Sequence, residues 1–283
     1  MKVLVLVCLL FSSLSFACSE DGSTGFLPKN NLRIPVGAKF AGGLSEQQFN
    51  KVIDEVEAIL EPVVSNHGGK LEIIRNWEDA EVNAFATRSG NSWVVQMFGG
   101  LARHDTITED GFKLVLCHEI GHHLGGAPKK SVRPWSSAEG QADYWGTLKC
   151  LRMVYEHSDN KAAIKNAAVP AELKDGCKKS FTSEDDQALC VRSALSGLSV
   201  SNLFGALEES TVSFTTPDQN SVRATSESHP EAQCRLDTFF QASICSADHR
   251  EDVSNSEEVK GTCHKKLGSK TGLRPTCWFK PKA

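Results

Sequence analysis

No stretch of this 283-residue chain reaches the roughly 18 consecutive apolar residues of a membrane-spanning helix. No transmembrane span is therefore expected. A basic excess is missing too: 31 Lys and Arg stand against 35 Asp and Glu, a net charge of −4. That balance gives no field to attract a phosphate backbone, so no nucleic-acid partner is expected. No cysteine pair has the Cys-x-x-Cys spacing of a zinc knuckle. Internal repeats are also absent.

What is there begins with a targeting signal. Lys2 is followed by an apolar run, Val3 to Leu14, and then by Ser15-Phe16-Ala17. Residues 1–17 read as a secretory signal peptide with a cut before Cys18. Two readings of Cys18 stand. It is the lipid-anchored first residue of a lipoprotein, or an ordinary cysteine left by simple cleavage. Either way the protein is expected to be exported, to the periplasm or the outer-membrane surface. Beyond Cys18 lie eight cysteines, Cys117, Cys150, Cys177, Cys190, Cys234, Cys245, Cys263 and Cys277. An even set in an exported chain points to disulfides. Cys117 adjoins His118 in an apolar helix, so a buried free thiol is its alternative.

Residues 18–43 read as an irregular N-terminal segment. Ser45 opens a helix, with Gln48 at the spacing of a capping box. Phe49, Val52, Ile53, Val56, Ile59, Leu60 and Val63 give that helix one buried face. Strands are expected at Leu71–Trp77, Val82–Thr87 and Ser92–Phe98, the last two joined by a turn at Ser89-Gly90-Asn91. Helices follow from about Thr108 to Leu124 and from Ser136 to about His157. Residues 158–228 read as a loop-rich insertion, helical but broken at first and then Ser/Thr-rich loop from 196. Residues 246–283 form a basic, cysteine-containing tail. Its last 25 residues hold seven Lys or Arg and no carboxylate side chain. Such a run is usually a solvated face, and here two cysteines would staple it down.

The chemistry sits in His118-Glu119-Ile120-Gly121-His122. Four residues apart on a helix, the two imidazoles lie on one face and can share a metal. Glu119 is on the adjoining flank, placed as a general base for a water that the metal acidifies. His123 points about 100° away around the helix and reads as structural or exposed.

A catalytic zinc needs a third protein ligand and one open position. Six residues beyond His122 stands Pro128, which has no ligating side chain. Glu139, on the following helix, is the other way to complete the set. Asp143, four residues on, could hold a ligand histidine's second nitrogen. The competing reading makes Glu139 the partner of Ser136 in a capping box.

Three blocks together resemble the HtpX-like and BepA-like zinc peptidases, relatives of the CAAX prenyl protease of gluzincin type. They are Asn83-Ala84-Phe85-Ala86, the His118–His122 block with Glu139 and Asp143, and His229-Pro230 followed by Arg235. The resemblance spans roughly residues 45–240. It implies an α+β, zincin-like domain over residues 44–245, with a small mixed sheet. The active-site helix would lie beneath an edge strand; the cysteines of this chain, apart from the resemblance, make the C-terminal part disulfide-rich. It implies one zinc ion per chain. Asn83, Ala84 and Phe85 would mark a strand that binds an extended polypeptide by strand addition. His229 or Arg235 would stabilise the oxyanion, or His229 would cap the metal and hold the enzyme latent. Tyr144 is a weaker oxyanion candidate and reads better as core. The chain departs from the family in its missing membrane helices, its cysteine-rich later half and the absence of a helical repeat array. The expected activity is a zinc endopeptidase acting on extended or unfolded polypeptide in the cell envelope. The alternatives are a quality-control or binding module with a latent zinc site, and a closed structural or storage zinc.

Overall fold

The computed structural model describes residues 25–38 and 42–282. The expected signal peptide and Cys18 lie outside the described residues. Ser45 and Gln48 close their capping box: the Gln48 amide donates to Ser45 Oγ, and the Ser45 amide to Gln48 Oε1. This starts α1, Glu46–Asn66, which buries Phe49, Val52, Ile53, Val56, Leu60 and Val64. The period of the apolar residues made that face predictable.

Three strands follow: β1 Lys70–Asn76, β2 Ala84–Ser89 and β3 Ser92–Phe98. Their order is β1-β3-β2. β1 runs parallel to β3, and β2 antiparallel. The sheet is therefore small and mixed, and β2 is an edge. Gly90, in the left-handed region at φ 61°, makes the tight link between β2 and β3. One face carries Ala84, Trp93, Val95 and Met97 into the core.

After a short turn of helix, α2 Gly99–Ala102, comes α3, Glu109–Leu124. Thr108 caps α3 by accepting from the Gly111 amide at 3.0 Å. From Gly111 onward every residue of α3 is buried. Helix α4, Glu139–Trp145, runs on through a π-helical stretch, Gly146–Leu151, into α5, Arg152–Tyr155. The helix expected from Ser136 thus starts three residues later and carries a π-bulge.

The broken helix read over 158–195 is present, but the Ser/Thr-rich loop expected from 196 is corrected: it begins only after Glu208. The short α6, Asn160–Ile164, and α7, Ala171–Ser180, precede α8, Glu184–Glu208, a 25-residue helix. Its buried residues include the small Ser193, Ala194, Ser196, Gly197, Ser199 and Ser201 among Val191, Val200, Leu203 and Phe204. Small residues let other helices approach closely: a Cβ on Gly197 would meet Phe239 at 2.4 Å. Ser199 Oγ donates to the Thr106 carbonyl and accepts from the Thr108 amide, tying α8 to the start of α3. A polar, small-residue face looks like a loop to a hydrophobic-period argument. The long irregular stretch of this region is 209–231. The Glu208 carboxylate then accepts from the Ala232 amide and opens α9, Ala232–Ile244.

All eight cysteines beyond Cys18 pair: Cys117–Cys150, Cys177–Cys190, Cys234–Cys277 and Cys245–Cys263. Cys117 is therefore no free thiol. Its bond fastens α3 to the π-helical extension of α4. The basic tail is stapled at Cys263 and Cys277, as its cysteines suggested. Four disulfides place the chain in an oxidising compartment. Among the described residues no helix is long and apolar enough to cross a membrane.

Candidate metal centre

Helix α3 offers His118 and His122 to one side, with ring centroids 4.7 Å apart. Donor atoms of His118, Glu119 and His122 lie within 4.8 Å of one another. Across from them, at the first turn of α4, Glu139 Oε2 is 3.2 Å from His118 Nε2, and Oε1 is 3.7 Å from His122 Nε2. Two ligands on one tetrahedral zinc stand roughly 3.3 Å apart, given bonds of about 2.0–2.1 Å.

The test of fit is satisfaction. Among the described residues, the buried His118 Nε2, Glu119 Oε1 and Glu139 Oε2 have no hydrogen-bond partner. Buried polar atoms are rarely left so, because each costs its full desolvation. A cation shared by these atoms removes that cost. The group can hold a metal ion.

Both imidazoles are held from behind. His118 Nδ1 donates to Asp143 Oδ1 at 2.7 Å, and His122 Nδ1 to the Ser137 carbonyl at 2.9 Å. Each bond leaves Nε2 for the metal side. Asp143 also accepts a short hydrogen bond from Arg235 Nη2. Lys130 Nζ donates to Glu139 Oε1 at 2.6 Å.

Charge follows this layout. Burial opposes a charged His118, but the Asp143 and Glu139 carboxylates outweigh it and raise its pKa to about 9. Burial pushes Glu119 up to about 7, into the range where a carboxylate exchanges protons near neutrality. Burial pushes His122 down to about 3. Glu139 stays well below the usual carboxylate range; burial works against this, and His229, His122, His118 and Lys130 prevail.

In front of the ligands is a cleft of 230 Å³, lined by Phe85, Ala86 and Thr87 with Glu119, His122 and Glu139. The Ala84 carbonyl points away from β3 and accepts from the Phe26 amide at 2.9 Å. In an antiparallel ladder alternate residues face the same way, so the Ala86 backbone faces outward as well. Among the described residues no backbone group bonds to it there. The edge beside the metal ligands is open for one more strand.

The remaining expected residues fall in distinct places. Asn83 is buried, and its Oδ1 accepts from the Leu27 amide. With Ala84 it holds the N-terminal segment, while Phe85 reaches the cleft. His229 lines the cleft, 3.4 Å from Glu139 Oε2, and its Nε2 donates to the Gly25 carbonyl at 2.7 Å. Arg235 does not reach the cleft. It is fully buried behind His118, its guanidinium 4.0 Å from the Phe204 ring and 4.6 Å from Phe26. Tyr144 is core; its hydroxyl donates to the Gly272 carbonyl.

The capping-box reading of Glu139 is corrected. Ala138 is the N-cap of α4, without a side-chain bond, and Ser136 Oγ lies 3.2 Å from His122 Nδ1 instead. His123 is buried rather than exposed, stacked between Trp93 and Trp135. Ser137, Lys130 and Gly25 went unnoticed in the sequence. Two of them act through backbone carbonyls, which any residue could supply. The comparisons add no relative to this geometry: no protein-family model matches the chain, and no curated protein or solved structure matches it.

Proposed function

We propose that the protein is an exported, zinc-dependent endopeptidase acting on extended or unfolded polypeptide in the cell envelope. One observation carries this reading. Glu119, His122 and Glu139 line a cleft walled by the edge strand β2, with His118 directly behind them, and the buried His118 Nε2, Glu119 Oε1 and Glu139 Oε2 have no hydrogen-bond partner among the described residues. His118, His122 and Glu139 would hold the zinc, which leaves a coordination position for the reaction. When bound, the ion supplies Lewis-acid activation of a water and of the scissile carbonyl.

The chain's own groups do the rest. The outward Ala86 backbone takes the substrate as an added strand, whatever its side chains. Glu119 accepts the proton of the attacking water on its carboxylate and returns it to the leaving amine nitrogen. His229, at the cleft wall, would donate to the developing oxyanion only on releasing the Gly25 carbonyl that its Nε2 now holds. Asp143 fixes His118, and Arg235 balances the charge of Asp143. Arg235 is thus a positioning residue. Attachment through Cys18 and a periplasmic location belong to the same proposal, as does kinship with the zincin-like HtpX and BepA peptidases.

Hydrolysis of denatured casein by wild type and Glu119→Gln is the test. The variant should lose about a thousandfold in rate, within the span of general acid–base effects. Equal residual rates in the two proteins would sink the enzyme. One observation favours the second reading, a latent binding module. His229 bonds to Gly25 beside Glu139, and Phe26 occupies the Ala84 end of the edge strand. Under that reading the casein rate stays at background in both proteins while zinc and an extended peptide still bind.

A further inference from the structure

A second cavity, of 720 Å³, opens on the other side of the α3 C-terminus. It is larger than the cleft and does not include the metal ligands. Edge strand β2 passes from one to the other in a single residue: Thr87 lines the cleft and Arg88 the larger cavity. Trp93, Trp135 and Trp145 supply aromatic surface.

Arg88 and Lys129 stand on the β2 side of this cavity without an ion-paired carboxylate, and Lys149, which also lines it, donates to the Asp248 carbonyl. Arg88 donates through Nε to His123 Nδ1 at 3.0 Å and through Nη2 to the His123 carbonyl at 3.1 Å. Its guanidinium lies 3.9 Å from the Trp93 ring centroid and 5.2 Å from that of Trp135. Lys129 Nζ donates to the Trp135 carbonyl at 3.1 Å and to Ser137 Oγ at 3.4 Å. All of these acceptors are neutral. The cavity's acids are engaged elsewhere or lie at the rim. Glu156 pairs with Arg250 at 2.6 Å, Asp252 with His67 at 3.4 Å, and Glu251 is exposed. Positive charge among aromatic faces, uncompensated by the protein, suits an anion with an apolar body.

We propose that this cavity is a second binding site, for a carboxylate carried on an aromatic or large apolar group. Two sources offer that chemistry: the C-terminus of a polypeptide ending in a bulky apolar residue, and a free aromatic acid. The proposal does not rest on peptide hydrolysis. Binding is therefore measured in the full-length Glu119→Gln protein, where cleavage cannot intrude.

The probes are 3-phenylpropionate and tetraalanyl-phenylalanine, each as free acid and as amide, titrated by calorimetry and tryptophan fluorescence. Each acid that binds should do so at least roughly tenfold more tightly than its amide, the scale of a hydrogen bond to a charged group. Lys129→Gln and Arg88→Gln should each remove that preference. Binding of the peptide acid alone assigns the site to a chain terminus. Equal binding of 3-phenylpropionate assigns it to a free acid. Arg88 braces His123, so its loss could disturb the fold. Lys129→Gln leaves the His123 contacts intact and keeps the test sharp. Acids no tighter than amides, or a Lys129→Gln protein with unchanged preference, overturns the proposal.

Discussion

Helix α4 contributes to two buried polar clusters. Glu139 and Asp143 reach toward the imidazoles of α3, whereas Gln141 donates to the Gly125 carbonyl and accepts from Arg274. Arg274 is buried among acceptors: Gln141 Oε1 at 2.9 Å, the Ala127 carbonyl, the Glu258 carbonyl and Thr262 Oγ1, with the Phe279 ring 4.0 Å away. Only its Nε lacks a partner. At the candidate metal centre, by contrast, Glu119 Oε1 has no hydrogen-bond partner among the described residues, and His118 Nε2 and Glu139 Oε2 face each other at 3.2 Å without a hydrogen bond. Burial is the same in both clusters. Satisfaction differs, and it separates a polar knot that secures the tail from a group that could hold a metal ion.

Removing Glu139 should break the comparison most visibly. Glu139→Ala, assayed by elemental analysis after dialysis, should fall from one zinc per chain to nearly none, a loss of about a thousandfold or more in affinity. Retention of the ion would move the third ligand elsewhere. Arg274→Met tests the other cluster. It orphans several acceptors at once and should cost roughly 3 kcal/mol of stability in denaturant unfolding, with zinc content unchanged. Loss of zinc in that variant would show the two clusters to be one unit.

A finer probe is Asp143→Asn, which keeps the shape but withdraws the charge behind His118. Zinc affinity should drop by about 10–100-fold, the usual effect of an outer ligand partner, read by competition with a chelator. The smallest effect concerns the aromatic cavity. Lys129 has its pKa lowered to about 8, first by burial and then by Arg88. Arg88 and the imidazole of His123, held neutral by burial, are the titratable groups facing it. Below about 8 the amine is charged and attracts the carboxylate. Binding of the acid probes should weaken as pH rises through that value, and the Lys129→Gln protein should lack the change.

The metal centre was legible because its spacings are local. His118 and His122, and likewise Glu139 and Asp143, are four apart, so helix geometry alone puts each pair on one face. What joins the pairs was not local. The Ser137 carbonyl behind His122 carries no side-chain signature, and Arg235 reaches Asp143 from 92 residues away. The strands and α1 followed their apolar periods to within a residue or two. Helix α8 escaped, since Ser193, Ser196, Gly197 and Ser199 are buried beside Val191, Val200, Leu203 and Phe204, so apolar and polar residues alternate around it with little hydrophobic contrast. Cys117 escaped for another reason: its partner Cys150 lies on a π-helical stretch whose register a 3.6-residue period does not describe.

That last bond has a topological consequence. Cys117 and Cys150 are 33 residues apart, and His118, Glu119, His122, Glu139 and Asp143 all fall between them. The metal centre is thus inscribed within one covalent ring. A protease that nicks the exposed stretch around Ser131–Val132 opens the chain but leaves all five side chains on one molecule, stitched across the cut. Only reduction and cleavage together part α3 from α4. In a reducing cytosol, where the ring is open, a single nick would suffice.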